Sequence, residues 1–137
     1  MSVVKSKRKE GQLTIFTKAS NLAEHTIKIC SNEKYFPKHY RWCLTSRIVN
    51  AALDINDNLI AANSIYVNDH EDYVLRKQHQ QIAIAASCTL LSNVAFAQNV
   101  FHLESKKIEY WTGLITEVQT ALRNWKKSDA ERYKEYK

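Results

Sequence analysis

The sequence contains very few of the residues that interrupt helices or form tight turns. Among its 137 residues there are two glycines, Gly11 and Gly113, and one proline, Pro37. A β-sandwich, a β-barrel or a loop-rich fold needs many more of these residues for its turns. The scarcity also argues against a glycine-rich phosphate loop and a nucleophile elbow, because both require glycines that this chain lacks. The composition therefore predicts long helices with short connections.

Cysteine is also scarce and shows no paired spacing. Cys30, Cys43 and Cys88 are an odd number of widely separated residues in segments with helical apolar periodicity. This arrangement favours buried, reduced thiols in a cytosolic protein over a disulfide framework. The histidines are scattered, and no glutamate has a histidine three residues after it, as in binuclear carboxylate sites. We expect no metal site, no cofactor, no small-molecule substrate and no catalytic activity.

The first ten residues are polar and rich in lysine and arginine. They contain no apolar stretch of the length that a signal peptide or a membrane span requires, so we expect a cytoplasmic protein without membrane insertion. The chain length fits one domain. The sequence predicts a basic flexible arm over residues 1–10, a helical bundle over 11–127 and a charged tail over 128–137, which either extends the last helix or frays.

Apolar residues at steps of three and four predict four helices. The first runs from Gln12 to Ser31 and the second from Pro37 to Tyr66. The third extends from a cap at Asn68 to Phe101, and Ser105 caps the fourth. Short connections force neighbouring helices to run antiparallel, so we expect an all-α, antiparallel, up-down four-helix bundle.

This spacing predicts one inward face on the first, second and fourth helices. On the first helix it comprises Leu13, Phe16, Ala19, Ala23, Ile27 and Cys30. On the second it comprises Leu44, Ile48, Ala51, Ala52, Ile55, Leu59 and Ala62. On the fourth it comprises Ile108, Trp111, Ile115, Val118, Leu122 and Trp125. The third helix has apolar residues on two sides, with Ile82, Ala85, Ala86, Leu90, Val94, Ala97 and Phe101 on one and Ile84, Cys88, Leu91 and Ala95 on the other.

Helices two and three carry further apolar residues on a second side, which a solitary bundle would keep polar. We therefore predict an oligomer interface formed by Trp42, Val49, Leu53, Ile60, Ile84, Cys88 and Leu91. Gly113 costs the fourth helix about 1 kcal/mol relative to alanine, and the close approach of another helix would explain it.

The charge is positive overall, with a formal net charge of +6 and a pI near 9.2. In an antiparallel bundle the first and third connections lie at one end, which collects cations that could contact phosphates independently of sequence. The predicted nucleic-acid-binding residues at that end are Lys34, Lys38, His39, Arg41, Lys106 and Lys107. An ordinary solvated basic surface is the alternative. Neighbouring aromatic residues, Tyr35, Phe36, Tyr40 and Trp42, either stack on unpaired bases or belong to the core or a subunit contact.

Three motifs resemble one family. They are the run Tyr35-Phe36-Pro37-Lys38-His39, the run Ser105-Lys106-Lys107-Ile108-Glu109-Tyr110-Trp111, and the spaced residues Leu114, Val118, Leu122 and Trp125. This pattern is similar to the Avd-like four-helix-bundle proteins, the accessory variability determinants of diversity-generating retroelements. These proteins are related to four-helix proteins encoded by intervening sequences of 23S rRNA genes.

The resemblance implies a homopentameric barrel that binds nucleic acid, RNA or DNA, and the reverse transcriptase of the element. Such a protein supports mutagenic cDNA synthesis without catalysing it. By position, Pro37, Lys38, Arg41, Arg123 and Lys126 would belong to the positive surface, and the family has no catalytic residues to transfer. The alternative is a structural or interaction bundle of the ribosomal intervening-sequence type, with no defined nucleic-acid role.

Overall fold

The computed structural model describes the backbone of residues 2–137 and the side chains of residues 14–137. This part of the chain contains four long α-helices and no β-strand. They are α1 (Ser2–Ser31), α2 (Ser46–Asn63), α3 (His70–Phe101) and α4 (Ser105–Arg132). Each helix packs against the next one along the chain, and α1 also packs against α4. The predicted all-helical bundle is therefore confirmed.

The core lies between the four helices and consists mainly of aliphatic side chains. Trp111 is its largest fully buried member, and its indole Nε1 donates a hydrogen bond to Thr26 Oγ1 at 3.1 Å. Phe36, in the connection after α1, contacts Trp111 and Phe101 edge-on, with ring centroids 5.9 and 5.2 Å apart. Each fully buried large apolar side chain stabilises the fold by about 1.5–3 kcal/mol.

The inward faces predicted for the second and fourth helices are confirmed. All six predicted residues of α4 are buried, and on the second helix only Leu44 is half-buried. The face predicted for α1 is partly wrong, because Ile27 is exposed while Leu22 and Ile29 are buried. The observed rotation of α1 removes two large aliphatic side chains from water, Leu22 and Ile29, and leaves one, Ile27, exposed. The side chain of Leu13 lies outside the described side chains.

The start of the second helix differs from the prediction. Pro37 precedes a 3₁₀ turn at Lys38–Tyr40, which is followed by a π-helical turn at Arg41–Thr45. The α-helix proper begins at Ser46 and ends at Asn63, three residues before the predicted end. A π-turn adds a residue to one helical turn and so changes which side chains face outward. Here Thr45 is buried and Trp42 points into solvent.

Two predicted caps are displaced by one residue. Asp69, rather than Asn68, caps α3, and its Oδ1 accepts a hydrogen bond from the backbone N–H of Asp72 at 2.8 Å. Ser105 is the first residue of α4, and the residue before it, Glu104, makes no capping hydrogen bond through its side chain. The helices begin close to the predicted positions, but the capping chemistry is different.

Both chain ends contain helix. The backbone of residues 2–10 belongs to α1, while the cationic side chains of the predicted arm lie outside the described side chains. At the other end α4 continues past the predicted limit at residue 127 to Arg132 and is followed by a 3₁₀ turn at Lys134–Tyr136. Asp129 is buried. The first part of the predicted tail is therefore part of the bundle.

A buried ion pair joins α3 to the last turn of α4. Arg76 donates from Nε to Asp129 Oδ2 at 2.6 Å and from Nη2 to Oδ1 at 3.2 Å. Gln80, one turn later on α3, donates to the same carboxylate at 2.7 Å. The side chains of Arg76 and Asp129 are only 5% and 4% exposed. The pair therefore fixes how the ends of these two helices meet.

α3 is long and apolar enough, by length and composition alone, to cross a membrane. Its most apolar window of 18 residues has a mean hydropathy of 1.3, and 28% of that window is buried inside the bundle. The core helix of a soluble protein passes the same test. The exposed apolar side chains of α3 include Leu75, Ile82, Phe96 and Val100.

Candidate nucleic-acid interface

Residues after α1 contact residues at the junction of α3 and α4. The ring centroids of Phe36 and Tyr40 each lie 5.2 Å from that of Phe101, the last residue of α3. Tyr35 lies beside Lys107 in the first turn of α4. These contacts place the connection after α1 beside the junction of α3 and α4, the two segments that were expected to share one end of the bundle.

Tyr35 is the centre of a small cationic cluster. Lys107 Nζ lies 4.4 Å from the centroid of the Tyr35 ring, and Lys34 Nζ lies 5.9 Å from it. Ammonium groups at these distances are attracted by the quadrupole of the ring. The ring therefore holds together two like charges that are far apart in the sequence.

A groove runs beside this cluster between α1 and α4. Its volume is about 420 Å³. Its lining comprises His25, Lys28, Ile29, Asn32, Tyr35, Lys106, Lys107 and Tyr110. Among these described side chains there are three lysines and no carboxylate. A concave surface lined by one sign of charge concentrates the electrostatic potential and attracts anions.

His25 forms part of the inner wall of the groove. Its ring meets those of Tyr110 and Trp111 edge-on, with centroids 5.1 and 6.1 Å apart. Burial lowers the pKa of His25, and the positive charges of Lys107 and Lys28 lower it further. His25 Nε2 is buried without a hydrogen-bond partner among the described residues. The neutral form is therefore favoured, and the positive charge of the groove comes from its lysines.

The remaining predicted cations at this end lie on the connection between α1 and α2. Lys38 Nζ is 3.7 Å from Glu33 Oε1 in an exposed ion pair. Such pairs contribute only about 0–1 kcal/mol to the stability of the fold. His39 is exposed and contacts Tyr40 edge-on, with ring centroids 5.5 Å apart. Arg41 is exposed at the start of the π-turn. All three are accessible to an anionic partner.

Arg123 and Lys126 belong to a different region. They lie 16 and 19 residues after Lys107 on α4, which corresponds to about 25–30 Å along the helix axis. Lys126 donates to Gln81 Oε1 on α3 and lines a second groove, of about 470 Å³, with Lys77 and other residues of α3. The predicted set of eight cations is therefore divided between two regions.

The predicted oligomer-interface residues have different exposures. Trp42 is 88% exposed, and Leu53, Ile60 and Cys88 are also exposed. Val49 and Leu91 are half-buried and pack against the core. Ile84 is only 6% exposed. Its assignment to the interface is wrong, because α3 is turned so that Ile84 faces the core together with Ala83 and Ser87.

Lys28 and Tyr110 line the groove but are not among the predicted binding residues. The sequence interpretation considered the connections, whereas both residues lie inside helices. A usable signal was present, because His25, Lys28 and Asn32 recur at steps of three and four, and Tyr110 follows Lys107 by three. Such spacings place each set on one helical face.

Gly113 also differs from expectation. Apart from its chain neighbours and the backbone of its own helix, an added Cβ at this position would meet no atom within 4 Å among the described residues. The close helix approach that the glycine suggested is therefore not made inside the described part of this chain.

Residues 14–137 contain no group of three or more His, Cys, Asp or Glu side chains that could hold a metal ion.

Comparison with known proteins identifies no relative. No family model matches the chain, and neither a curated protein nor a solved structure matches it. Its function therefore has to be inferred from its own residues.

Proposed function

We propose that this protein is a non-catalytic accessory subunit of a diversity-generating retroelement. It binds nucleic acid and the reverse transcriptase of the element, acts in the cytoplasm and supports mutagenic cDNA synthesis. The observation that carries nucleic-acid binding is the groove between α1 and α4, with three lysines and no carboxylate among its described lining residues. The retroelement assignment depends on the resemblance in residues 35–39, 105–111 and 114–125.

The arrangement of the cations favours contact with phosphates rather than with base edges. Lys34, Lys38, Arg41 and Lys106 are exposed at the same end of the bundle as the groove. Long, mobile ammonium groups bind phosphate oxygens as point charges and carry little sequence information. We therefore expect affinity for many RNA or DNA sequences, with a strong dependence on salt concentration.

Assembly into an oligomer is the second part of the proposal, with five copies suggested by the resemblance. Apolar side chains remain exposed along two helices. Leu75, Ile82 and Phe96 are spaced by multiples of seven on α3, and Trp42 and Ile60 are exposed on the second helical segment. A seven-residue apolar repeat is typical of a seam between packed helices. Covering it with further copies would remove apolar surface from water.

An antiparallel, up-down arrangement of the helices completes the proposed architecture. Two sets of contacts support it. Phe36, after α1, contacts Phe101 at the end of α3. Arg76, near the start of α3, contacts Asp129 near the end of α4, and its Nη1 lies 3.4 Å from the carbonyl oxygen of Ala62 near the end of α2.

A salt titration of RNA binding tests the electrostatic part. Binding of a labelled RNA hairpin would be measured by fluorescence anisotropy between about 50 and 200 mM salt. The variant Lys38→Glu/Lys106→Glu should weaken binding and lower the slope of log K against log salt by about 1.4–1.8, because each phosphate contact contributes about 0.7–0.9. The control Lys127→Glu/Lys134→Glu changes the net charge equally at the other end of α4. Equal effects of both variants, or binding that does not depend on salt, would contradict the proposal.

Light scattering tests the assembly. We expect a mass several times the 15.9 kDa of one chain, and about five times that mass if the assembly is a pentamer. Ile82→Glu/Phe96→Glu places charges in the apolar stripe of α3 and should reduce the mass to that of one chain. Gln78→Glu, an exposed polar position on the same helix, is the control. A single-chain mass for the unaltered protein at micromolar concentration would exclude the oligomer.

A structural or interaction bundle of the ribosomal intervening-sequence type is the second candidate function. The exposed apolar side chains favour it, because they call for a protein partner whether or not nucleic acid is bound. The genomic neighbourhood distinguishes the two. A reverse transcriptase gene with template and variable repeats favours the retroelement role, and co-purification with that polymerase would support it directly. Insertion within an rRNA gene favours the second candidate.

A further inference from the structure

We infer that the groove between α1 and α4 binds an unpaired nucleotide of a single-stranded nucleic acid. Its phosphate lies among the ammonium groups of Lys28, Lys106 and Lys107. Its base stacks on the ring of Tyr110. This inference rests on the proposed nucleic-acid binding and adds the form of the ligand and the residues that distinguish a single strand from a duplex.

The three lysines of the groove lack an internal counter-charge. None of Lys28, Lys106 and Lys107 forms an ion pair with a described carboxylate, although Lys38 and Lys134 elsewhere do. Lys28 comes from the last part of α1, and the other two come from the first turn of α4. A phosphate between these helices would supply the missing negative charge and would accept hydrogen bonds from ammonium groups on two sides.

Tyr110 is the aromatic ring available for stacking. It is 61% exposed and is held from the side by the edge-on contact with His25 at 5.1 Å. The ring of Tyr35, by contrast, already has Lys107 and Lys34 over it. Bases of single strands stack on exposed aromatic side chains whatever their sequence, and each contact typically changes affinity about 5- to 150-fold.

The groove also has a suitable size and a polar group. Its volume of about 420 Å³ lies within the usual range of about 300–1,000 Å³ for small-ligand sites. Asn32 Oδ1 accepts a hydrogen bond from the backbone N–H of Lys34 at 3.0 Å, which orients the Asn32 amide and leaves its Nδ2 free of any described partner. A base within a duplex is stacked and paired, so a duplex can offer this site only its phosphates.

The test compares single-stranded and double-stranded RNA. An oligouridylate of about 15 nucleotides and a duplex of the same length, both labelled with fluorescein, are titrated with the full chain and followed by anisotropy. Tyr110→Ala should weaken binding of the single strand about fivefold or more and leave duplex binding unchanged. Tyr110→Phe should retain the affinity, because it keeps the ring. Tyr66→Ala is the control, since Tyr66 is also exposed, at 87%, but lies in the α2–α3 connection.

A lysine variant provides an independent measurement. Lys28→Gln should lower the salt slope for the single strand by about 0.7, the value of one phosphate contact. Lys127→Gln should leave the slope unchanged. Thermal unfolding followed by circular dichroism checks that each variant is folded, and Lys28→Gln decides the question if Tyr110→Ala is destabilised.

The possible failures are distinguishable. If Tyr110→Ala leaves single-strand affinity unchanged, or weakens both RNAs equally, the nucleotide site is refuted. Nucleic-acid binding would then still stand if Lys38→Glu/Lys106→Glu weakens both. If the unaltered protein binds neither RNA, both ideas fail together.

Discussion

Removing the carboxylate of Asp129 should be among the most destabilising single changes in this protein. The carboxylate receives three hydrogen bonds, two from the Arg76 guanidinium and one from the Gln80 amide, at 2.6–3.2 Å. The guanidinium also lies 5.0 Å from the centroid of the Trp125 ring. In Asp129→Ala the Arg76 charge would stay buried with no counter-charge, and its rigid guanidinium could not easily reach water.

The expected magnitude follows from the burial of both partners. Breaking a buried ion pair by removing one partner costs about 3–5 kcal/mol. A single domain is stable by only about 5–15 kcal/mol, so the loss would be a large part of the total. For a chain of this size it corresponds to a decrease in Tm of roughly 10–15 °C.

Urea unfolding followed by far-UV circular dichroism measures this cost. All variants must be compared at one protein concentration, because assembly would make the apparent stability depend on concentration. Glu131→Ala is the matched control, since Glu131 pairs with Lys134 at 3.4 Å near the end of the same helix but both side chains are exposed. Its effect should stay within about 0.5 kcal/mol.

Replacing both partners of the ion pair with apolar residues separates the cost of burying a charge from the contribution of packing. Arg76→Met/Asp129→Leu should recover much of the stability lost in Asp129→Ala, because apolar side chains of similar volume often replace a buried pair without loss. If Asp129→Ala costs less than about 1 kcal/mol, the pair is not buried as described and the reasoning is refuted.

Three further predictions concern single residues. Burial lowers the pKa of His25 below its ordinary value of 6.5, so the unfolded chain binds more protons than the folded chain at acidic pH. The free energy of unfolding should therefore fall as the pH drops below about 6.5. His25→Phe should reduce this fall, as measured by urea midpoints at several pH values. Burial raises the pKa of Cys30 to about 12, so its thiol should react with DTNB only after unfolding, while exposed Cys43 reacts in the folded protein. Gly113→Ala should raise stability by about 1 kcal/mol, and a decrease would indicate a neighbouring copy at this position.

The sequence was most informative where a helix has one clear apolar face. The face of α4, from Ile108 to Trp125, was predicted at every position because bulky residues recur at steps of three and four over several turns. On α1 the apolar residues are spread more widely, and more than one face satisfies the same spacing. The choice between Ile27 and the pair Leu22 and Ile29 then depends on the neighbouring helices.

The cationic end was predictable only in part. Lys106 and Lys107 were identified because they follow a short connection, and the groove does contain them. Lys28 was missed because its spacing from His25 and Asn32 places it on one face of α1 but does not say which helix that face meets. Arg123 and Lys126 were included because of the family resemblance, and they lie about 25–30 Å along α4 from Lys107.

By itself the sequence determined that this chain forms four helices, since scarce glycine and proline and a repeating apolar spacing are local properties of the chain. The tertiary structure alone decided that Arg76 meets Asp129, 53 residues away, and that Lys28 joins Lys106 and Lys107 in one groove. The physical reason is that helical periodicity constrains residues within a few turns of each other. Which polar side chains meet across helices depends on the rotation and axial position of each helix, and these are set by packing of the whole core.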